Sequence, residues 1–329
     1  MILRTRSTRL GEEPLVTSRM AAAAAGSPCQ PQPQPFDVAS HDGTIAVRTR
    51  GGSGETVVLL HGGPGCPDYL QPVAQLLPAH LRVVTFDQRG VGGSAGARTF
   101  ALEDYLSDIE AVRRHLGVER IHLLGHSWGG LLAQVYANKF PQRVASIVLT
   151  NSAAGVGNHW RQLEREVMAY NRKRSGPAGF IVMGLWAALM VLPGRVRNLA
   201  GRRLLKRVWR NYFPDNVSAP DADAAWLNGA SSTAAVKTTA AIKAADTNVL
   251  DGLGSRLGVP ALLVYGEHDI YSASKAFVEK RFLPAYHVTT LKDCGHLPWL
   301  QAPGAFALLL RDFYSEVAPA TEKESVGGT

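Results

Sequence analysis

A serine flanked by glycines, in Gly125-His126-Ser127-Trp128-Gly129, is the strongest candidate for chemistry in this sequence. It matches the pattern G-x-S-x-G, called the nucleophile elbow, in which the serine stands on a sharp turn and small neighbours let a strand and a helix pass closely. The context fits, because the apolar run Ile121 to Leu124 precedes the motif and the helical pattern Leu131 to Phe140 follows it. The pattern predicts Ser127 as a nucleophile that attacks a carbonyl carbon.

A second glycine-rich segment, His61-Gly62-Gly63-Pro64-Gly65, directly follows the apolar run Val57 to Leu60. This segment is called the glycine loop below. An enzyme that transfers acyl groups must stabilise an oxyanion, and backbone N–H groups that are fixed in place beforehand do this well. One donor in such sites belongs to the residue after the nucleophile, and the other to an early loop. We therefore expect the N–H groups of Trp128 and Gly63 to form the oxyanion hole. A plain turn is the alternative, whereas a P-loop is excluded because no Lys-Ser/Thr follows.

The serine needs a base, and the base needs an acid that orients it. His296 lies in a loop after the last strand-like run, His287 to Leu291, where a base is expected. Asp269 follows the run Ala261 to Tyr265 and completes the chain order Ser, Asp, His. The competing candidates are His268 for the base, and Glu267 and Asp293 for the acid.

Short apolar runs alternate with helical patterns along most of the chain. One such helical pattern is Leu102 to Leu116, whose apolar residues fall on one face. This alternation predicts an α/β fold with a mostly parallel sheet and helices on both faces. The runs typical of buried strands are Val57 to Leu60, Val83 to Phe86, Ile121 to Leu124, Ile147 to Leu149 and Ala261 to Tyr265.

The alternation stops between about Ala153 and Asp251, where the sequence is helical, basic and rich in Trp and Arg. An insertion between two strands of one sheet predicts a cap over the carboxyl ends of the strands, where open α/β sheets bind ligands. The predicted organisation is a disordered segment (1–35), the first part of the core (36–152), a helical cap or lid (153–252), the second part of the core (253–317) and a disordered tail (318–329).

Composition excludes several classes of protein. The net charge of +8 resides in residues 158–250, which hold 14 Lys and Arg against six Asp and Glu. No RNA-binding motif or recognition helix accompanies this charge, so nucleic acid is not an expected partner. No apolar run reaches the roughly 20 residues of a membrane span, so stable membrane insertion is not expected. Three widely spaced cysteines suit neither disulfides nor a zinc site, which favours a reducing, cytoplasmic location.

Taken together, these motifs resemble the proline iminopeptidase branch of the α/β-hydrolase superfamily. The resemblance implies an eight-stranded sheet with the cap inserted after the sixth strand, and a triad of Ser127, Asp269 and His296. It also implies that Asp87 and Arg89 support the glycine loop, His61 to Gly65. The segments that carry it are His61-Gly62-Gly63-Pro64-Gly65, Asp87-Gln88-Arg89-Gly90-Val91-Gly92, the elbow with Trp128 after the serine, Leu102-Glu103-Asp104-Tyr105, and Gly295-His296 followed by Pro298 and Gln301-Ala302-Pro303.

Membership of a family does not fix the substrate. A proline aminopeptidase must hold a protonated amine with carboxylates, and the predicted cap is poor in them. We therefore expect a serine hydrolase that cleaves an ester or amide bond of a small, fairly apolar substrate through an acyl-enzyme, without cofactor or metal. The alternatives are release of N-terminal proline from short peptides, acyl transfer or cyclisation without water, and a binding protein on the same fold.

The cap contains a strongly apolar run, Phe180 to Leu192, followed by the basic segment Arg195 to Arg210. Three interpretations remain open: a helix packed on the core, a lid that lines an apolar substrate pocket, and attachment to a membrane surface. Trp160 and Trp186 are the candidate substrate-binding residues of the cap.

Overall fold

The computed structural model of the chain describes residues 35–320, except for 216–218, 272–273 and 283–285. The predicted N-terminal segment, apart from residue 35, and residues 321–329 of the predicted tail therefore lie outside the described residues. Ala318 is fully buried, and its carbonyl oxygen accepts a hydrogen bond from His80 Nε2 at 2.8 Å. The boundary of the tail consequently falls after Ala318, because the end of the last helix is fixed against the core.

The strands of the described residues form one eight-stranded sheet in the order β1-β2-β4-β3-β5-β6-β7-β8. The pairs β1–β2 and β2–β4 are antiparallel, and the other neighbouring pairs are parallel. The predicted fold class, a mostly parallel eight-stranded sheet, is confirmed. The strands are β1 (Phe36–Ser40), β2 (Gly43–Gly51), β3 (Thr56–Leu60), β4 (Arg82–Phe86), β5 (Ile121–His126), β6 (Val144–Thr150), β7 (Ala261–Gly266) and β8 (Tyr286–Leu291).

Helices follow most of the strands, and five helices of the described residues lie between β6 and β7. The first four of these five, spanning residues 158–244, are called the helical insertion below. The helices are α1 (Gln71–Ala74), α2 (Leu102–His115), α3 (Trp128–Lys139), α4 (Asn158–Leu189), α5 (Gly194–Asn211), α6 (Ala224–Gly229), α7 (Ser232–Ala244), α8 (Leu253–Leu257), α9 (Lys275–Phe282), α10 (Pro298–Gln301) and α11 (Pro303–Val317).

The two faces of the sheet carry separate apolar cores, because successive side chains of a strand point to opposite faces. In β3, Val58 and Leu60 join a core with α2, α3, α8 and α9, while Val57 and Leu59 join a second core with α1 and α11. All five residues of β3 are buried. This double burial explains why the parallel strands appear in the sequence as continuous apolar runs.

The turn between β5 and α3 is held by close backbone contact. Ser127 adopts φ 57° and ψ −121°, a conformation that non-glycine residues rarely take. A Cβ atom on Gly129 would lie 1.9 Å from the carbonyl oxygen of Leu60, and one on Gly125 would lie 2.4 Å from the carbonyl oxygen of Gly129. The start of α3 therefore packs directly on the end of β3, which brings the serine next to the loop that follows β3.

The helical insertion is built around two helices that run in opposite directions. Helix α4 is broken at Gly176 (φ 66°, ψ 175°) and Pro177, and after a short turn α5 returns along its second half. Asn211 of α5 donates hydrogen bonds to Asn171 and Ser175 of α4, which fixes the base of this hairpin.

The apolar run Phe180 to Leu192 does not pack on the core, because Met183 is its one buried residue. The interpretation of this run as a core helix is therefore wrong. Within the described part of the chain, no helix is both long enough and apolar enough to cross a membrane.

Replacing Gly129 with Ala should destabilise the protein by about 3 kcal/mol or more, since the new methyl group collides with backbone that cannot rotate away. Gly96→Ala is the matched control, because no atom lies within 4 Å of the position that its Cβ would take and its φ is unstrained. Urea unfolding of both variants measures the difference. Equal unfolding midpoints would contradict the close packing of α3 on β3.

Candidate active site

A buried pair formed by Asp269 and His296 lies at the carboxyl end of the sheet. Asp269 follows β7 and His296 follows β8, and both side chains are 1% exposed. The Nδ1 atom of His296 donates a hydrogen bond to Oδ1 of Asp269 at 2.5 Å, and the same oxygen accepts the N–H of Ile270 at 2.8 Å. Because the carboxylate occupies Nδ1, the Nε2 atom of His296 is the nitrogen left to accept a proton.

In the described structure Ser127 forms no hydrogen bond with this pair, and instead contacts a residue that the sequence did not single out. Its Oγ atom is 3.1 Å from the hydroxyl of Tyr271, whose ring packs edge-on against the ring of His296 at 5.1 Å between centroids. Tyr271 thus contacts both Ser127 and His296. Burial raises the pKa of the Tyr271 hydroxyl, so it remains protonated and can donate a hydrogen bond.

A path of hydrogen bonds connects the three loops that carry the site. The N–H of Gly62 donates to the hydroxyl of Tyr69 at 2.8 Å, and this hydroxyl donates to Nδ1 of His126 at 2.7 Å. Nε2 of His126 then donates to the carbonyl oxygen of His296 at 2.8 Å. The path requires a neutral His126, and burial holds the pKa of this histidine well below its ordinary value.

Gln88 joins the same region from the end of β4. Its side-chain N–H donates to the carbonyl oxygen of His61 at 2.7 Å, and its side-chain oxygen accepts the indole N–H of Trp128 at 2.8 Å. The neighbouring Asp87 accepts the N–H of Asp68, within the loop that follows β3, at 2.9 Å.

Arg89 acts elsewhere. It forms two hydrogen bonds with Asp108 of α2, at 2.7 and 2.8 Å, and donates to the carbonyl oxygens of Thr99 and Asp104. Asp87 and Gln88 therefore contact the glycine loop and the elbow, whereas Arg89 ties its own loop to α2.

The backbone N–H groups of Gly63 and Trp128 face no acceptor among the described residues. Trp128 is the first residue of α3, so its N–H has no partner within the helix. The N–H of the adjacent Gly62 is already used by Tyr69. The two N–H groups expected to form the oxyanion hole consequently remain available.

Asn151 links the loops that carry Asp269 and His296. It follows β6, is fully buried and adopts φ 43°. Its side-chain oxygen accepts the N–H of Gly266, and its side-chain N–H donates to the carbonyl oxygens of Gly295 and His296 at 3.1 and 2.9 Å. The end of β6 thus supplies an amide that positions Asp269 and His296 through their backbones.

The competing candidates from the sequence lie together on the surface. Glu267, His268 and Asp293 are exposed, with ligand atoms within 4.8 Å of one another, and Glu267 accepts the N–H of Asp293. Among the hydrogen bonds of the described residues, none joins these side chains to His296 or Ser127. An exposed acidic group of this kind does not by itself indicate a metal site.

The two described cysteines do not compete with Ser127 as nucleophiles. Cys66 and Cys294 are buried and free, and burial raises the pKa of each thiol to about 12. The reactive form of cysteine is the thiolate, which these residues do not form near neutral pH.

The candidate substrate-binding tryptophans have different surroundings. Trp160 is buried, and its ring packs edge-on against that of Trp128 at 6.3 Å, next to the elbow. Trp186 instead lines a cleft of about 350 Å³ between α4 and α5, together with Val182 and Arg203. No residue of the Ser127, Asp269 and His296 set lines that cleft.

Aromatic residues that the sequence did not indicate surround His296. The ring of Tyr212, just after α5, lies 4.7 Å from that of His296, and the carbonyl oxygen of Tyr212 accepts the N–H of His296. Tyr69, Tyr212 and Tyr271 come from three distant parts of the chain, so no local motif could have revealed them.

A family model described as the alpha/beta hydrolase fold matches residues 55–303. The chain belongs to this family. The matched range begins just before β3 and ends where α11 begins, so it contains the elbow, the glycine loop, Asp269 and His296. The helical insertion lies within the same range of the α/β-hydrolase sequence.

Among curated proteins, the α/β-hydrolase chain is similar to proline iminopeptidases. The enzyme of Lactobacillus helveticus (strain DPC 4571) is 32% identical over 118 residues, which are 34% of this chain and 40% of the relative. A probable proline iminopeptidase of Leptolyngbya boryana is 40% identical over 103 residues, 30% of this chain and 31% of the relative. The chain thus aligns with less than half the length of these relatives. The resemblance to the proline iminopeptidase branch is confirmed.

Solved structures of other α/β-hydrolases share the fold. VinJ is 23% identical with a TM-score of 0.68, covering 87% of this chain and 100% of that one. A thermophilic esterase from Thermogutta terrifontis is 20% identical with a TM-score of 0.59, covering 86% and 99%. These identities establish the fold alone. Together with the family match, the relatives support a hydrolase.

Replacing Tyr69 with Phe should lower the free energy of unfolding by about 1–3 kcal/mol, since it leaves the N–H of Gly62 and Nδ1 of His126 without partners. Tyr314→Phe is the control: this tyrosine is fully buried, whereas Tyr69 is half-buried, and the hydroxyl of Tyr314 has no hydrogen-bond partner in the described structure. Its removal should change stability by less than about 0.5 kcal/mol. Equal losses in urea unfolding would contradict a structural role for the His126 path.

Proposed function

We propose that this protein is a serine hydrolase in which Ser127, His296 and Asp269 act as a catalytic triad. The observation that carries the proposal is the buried hydrogen bond between Asp269 and His296 beside a serine on a strained turn. Burying two polar, ionisable side chains is costly, so their position near Ser127 favours a catalytic role. A protein that only bound ligands would have no need of an oriented histidine there.

In the proposed reaction, Oγ of Ser127 attacks the substrate carbonyl while Nε2 of His296 takes the hydroxyl proton. Asp269 stabilises the resulting imidazolium and holds the ring. The N–H groups of Gly63 and Trp128 receive the oxyanion, and each such donor contributes about 2.7–4 kcal/mol to transition-state stabilisation. His296 then protonates the leaving group, and water releases the acid from the acyl-enzyme.

The hydroxyl of Tyr271 bonds to Ser127 in the free protein. As the serine proton moves to His296, the hydrogen bond between the Tyr271 hydroxyl and Oγ of Ser127 must either break or persist alongside the new bond to the substrate. The hydroxyl does not compete as a base, because its raised pKa keeps it protonated.

We expect the substrate to be an ester or amide with an apolar acyl group rather than a peptide with N-terminal proline. The rings of Tyr212 and Tyr271 line the site around His296. A prolyl substrate would need a free carboxylate for its ammonium group. Five carboxylates of residues 158–250 have partners of their own: Glu164 with Lys243, Glu166 with Ser274, Asp221 with Lys206 and Arg210, Asp223 with the N–H of Trp226, and Asp246 with that of Asn248.

The sixth carboxylate, Asp215, is exposed and also engaged in an interaction. The similarity to proline iminopeptidases nevertheless favours release of N-terminal proline as a second candidate function.

We also propose that the helical insertion is the cap of the site, since Tyr212, which belongs to the insertion, contacts His296. The free cysteines support a cytoplasmic location.

Ser127→Ala should abolish labelling by a fluorophosphonate probe and reduce kcat for an activated ester by about 10⁴-fold or more. Asp269→Asn should reduce kcat by about 10⁴-fold, because an amide at this position favours the wrong tautomer of His296. Ser107→Ala, which changes an exposed serine of α2, serves as the control and should keep both labelling and turnover. Wild-type protein that neither labels nor turns over any activated ester would overturn the proposed triad.

A paired assay of p-nitrophenyl acyl esters and proline p-nitroanilide tests the substrate class. We expect kcat/KM for the short-to-medium acyl esters to exceed that for the prolyl amide, since the carboxylates of residues 158–250 already have partners in the described structure. Proline p-nitroanilide blocked at its nitrogen is the control for the role of that charge. A clear preference for the unblocked prolyl amide would establish the second candidate instead.

A further inference from the structure

The outer end of the hairpin formed by α4 and α5 carries apolar side chains that nothing in the described structure covers. In α4, Ile181, Leu185 and Leu189 recur every four residues and so share one face. Their exposure is 64%, 61% and 36%. This surface is called the apolar tip, and it consists of Ile181, Leu185, Leu189, Val191, Val196 and Leu199.

The apolar tip is bordered by an unusual concentration of positive charge. No Asp or Glu occurs between Glu166 and Asp215, a stretch that contains ten Lys and Arg. Within α5, Val196, Leu199 and Arg203 lie along one face, so the apolar surface continues directly into the basic one. The basic residues beside the tip are called the basic collar: Arg195, Arg203, Lys206, Arg207 and Arg210.

The basic collar is poorly neutralised. Lys206 and Arg210 share a single carboxylate, that of Asp221, at 3.4 and 3.5 Å. Arg195 and Arg203 have no acidic partner among the described residues and are exposed. Arg203, Lys206, Arg207 and Arg210 also line the cleft that holds Trp186, whose floor is apolar. The surface thus lacks the counter-charges that a free, water-facing surface usually carries.

The hairpin contacts His296 through the residue that follows α5. The base of the hairpin lies at Asn171, Ser175 and Asn211, and the next residue, Tyr212, contacts His296. Helix α5 has 18 residues, so its two ends are about 27 Å apart. The side chains of the tip are exposed to solvent, which argues against its interpretation as the wall of a closed pocket.

We propose that the apolar tip and the basic collar form a docking surface for an anionic lipid bilayer. Exposed aliphatic side chains at the end of a hairpin can enter the acyl region, while the cations behind them remain at the level of the headgroups. Charge complementarity favours this occupant over a second copy of the chain, because pairing two tips brings two basic collars together. The protein binds the surface without spanning it.

Sedimentation of the full chain with vesicles tests the proposal. One set contains phosphatidylcholine with about 30% phosphatidylserine, and the other contains phosphatidylcholine alone. We expect binding to the anionic vesicles to be at least about tenfold tighter, and to weaken as salt is raised. No substrate is present, so the result is independent of whether the proposed hydrolase activity is correct.

Two double variants separate the contributions of the surface. Arg195→Gln with Arg203→Gln should weaken binding by about 25-fold, since each basic residue near an anionic surface is worth about a fivefold change. Leu185→Ser with Val191→Ser should also weaken binding by at least about tenfold, through the loss of apolar insertion. The matched controls, Arg114→Gln with Arg311→Gln and Leu308→Ser, change exposed residues outside the hairpin and should bind like the wild type.

Circular dichroism melting checks that each variant folds. We expect all of them to fold, because the altered residues are exposed. Failure to bind anionic vesicles, or equal binding to both vesicle types, would overturn the proposal. A wild-type dimer in solution that dissociates in the Leu185→Ser, Val191→Ser variant would also overturn it, because a second copy would then be the occupant.

Discussion

The neutral imidazole of His126 is the constraint on which the arrangement of the site depends. Three loops, after β3, β5 and β8, must meet at one edge of the sheet, away from water. A buried peptide group without a partner costs about 1–3 kcal/mol. His126 offers one acceptor and one donor nitrogen, and so joins Tyr69 on one side to the backbone of His296 on the other. A protonated histidine would have two donors and could not accept from Tyr69.

The same principle recurs around the site. Gln88 and Asn151 each use an amide, which also carries a donor and an acceptor, to connect two loops. The proposed reacting groups are held differently, because Ser127 has one side-chain hydrogen bond, to a tyrosine. The amides of Gln88 and Asn151 therefore use both donor and acceptor atoms in hydrogen bonds. Ser127, the proposed nucleophile, has a single side-chain hydrogen bond and can change partners.

Sequence reasoning was most informative where the determining interactions are local. The strands and the elbow follow from apolar runs and from glycines within a few residues of Ser127. Tyr69 and Tyr271 could not be found in this way, because they lie 57 and 144 residues from their partners His126 and Ser127. The run Phe180 to Leu192 shows a second limit of prediction from sequence. Its apolar composition predicts that the run is buried, but composition cannot say which surface buries it, and in the described structure most of the run is exposed.

The contact between Gly129 and the carbonyl oxygen of Leu60 has a consequence for how such sequences evolve. The glycine is required by the packing of a helix on a strand, and the reaction makes no demand on it. A descendant that lost His296 and all catalysis would still need the same glycine to fold. The five-residue motif is therefore inherited with the shape of the turn, and a pseudoenzyme would retain it, whereas the Asp269 and His296 pair is free to disappear once selection for turnover ends.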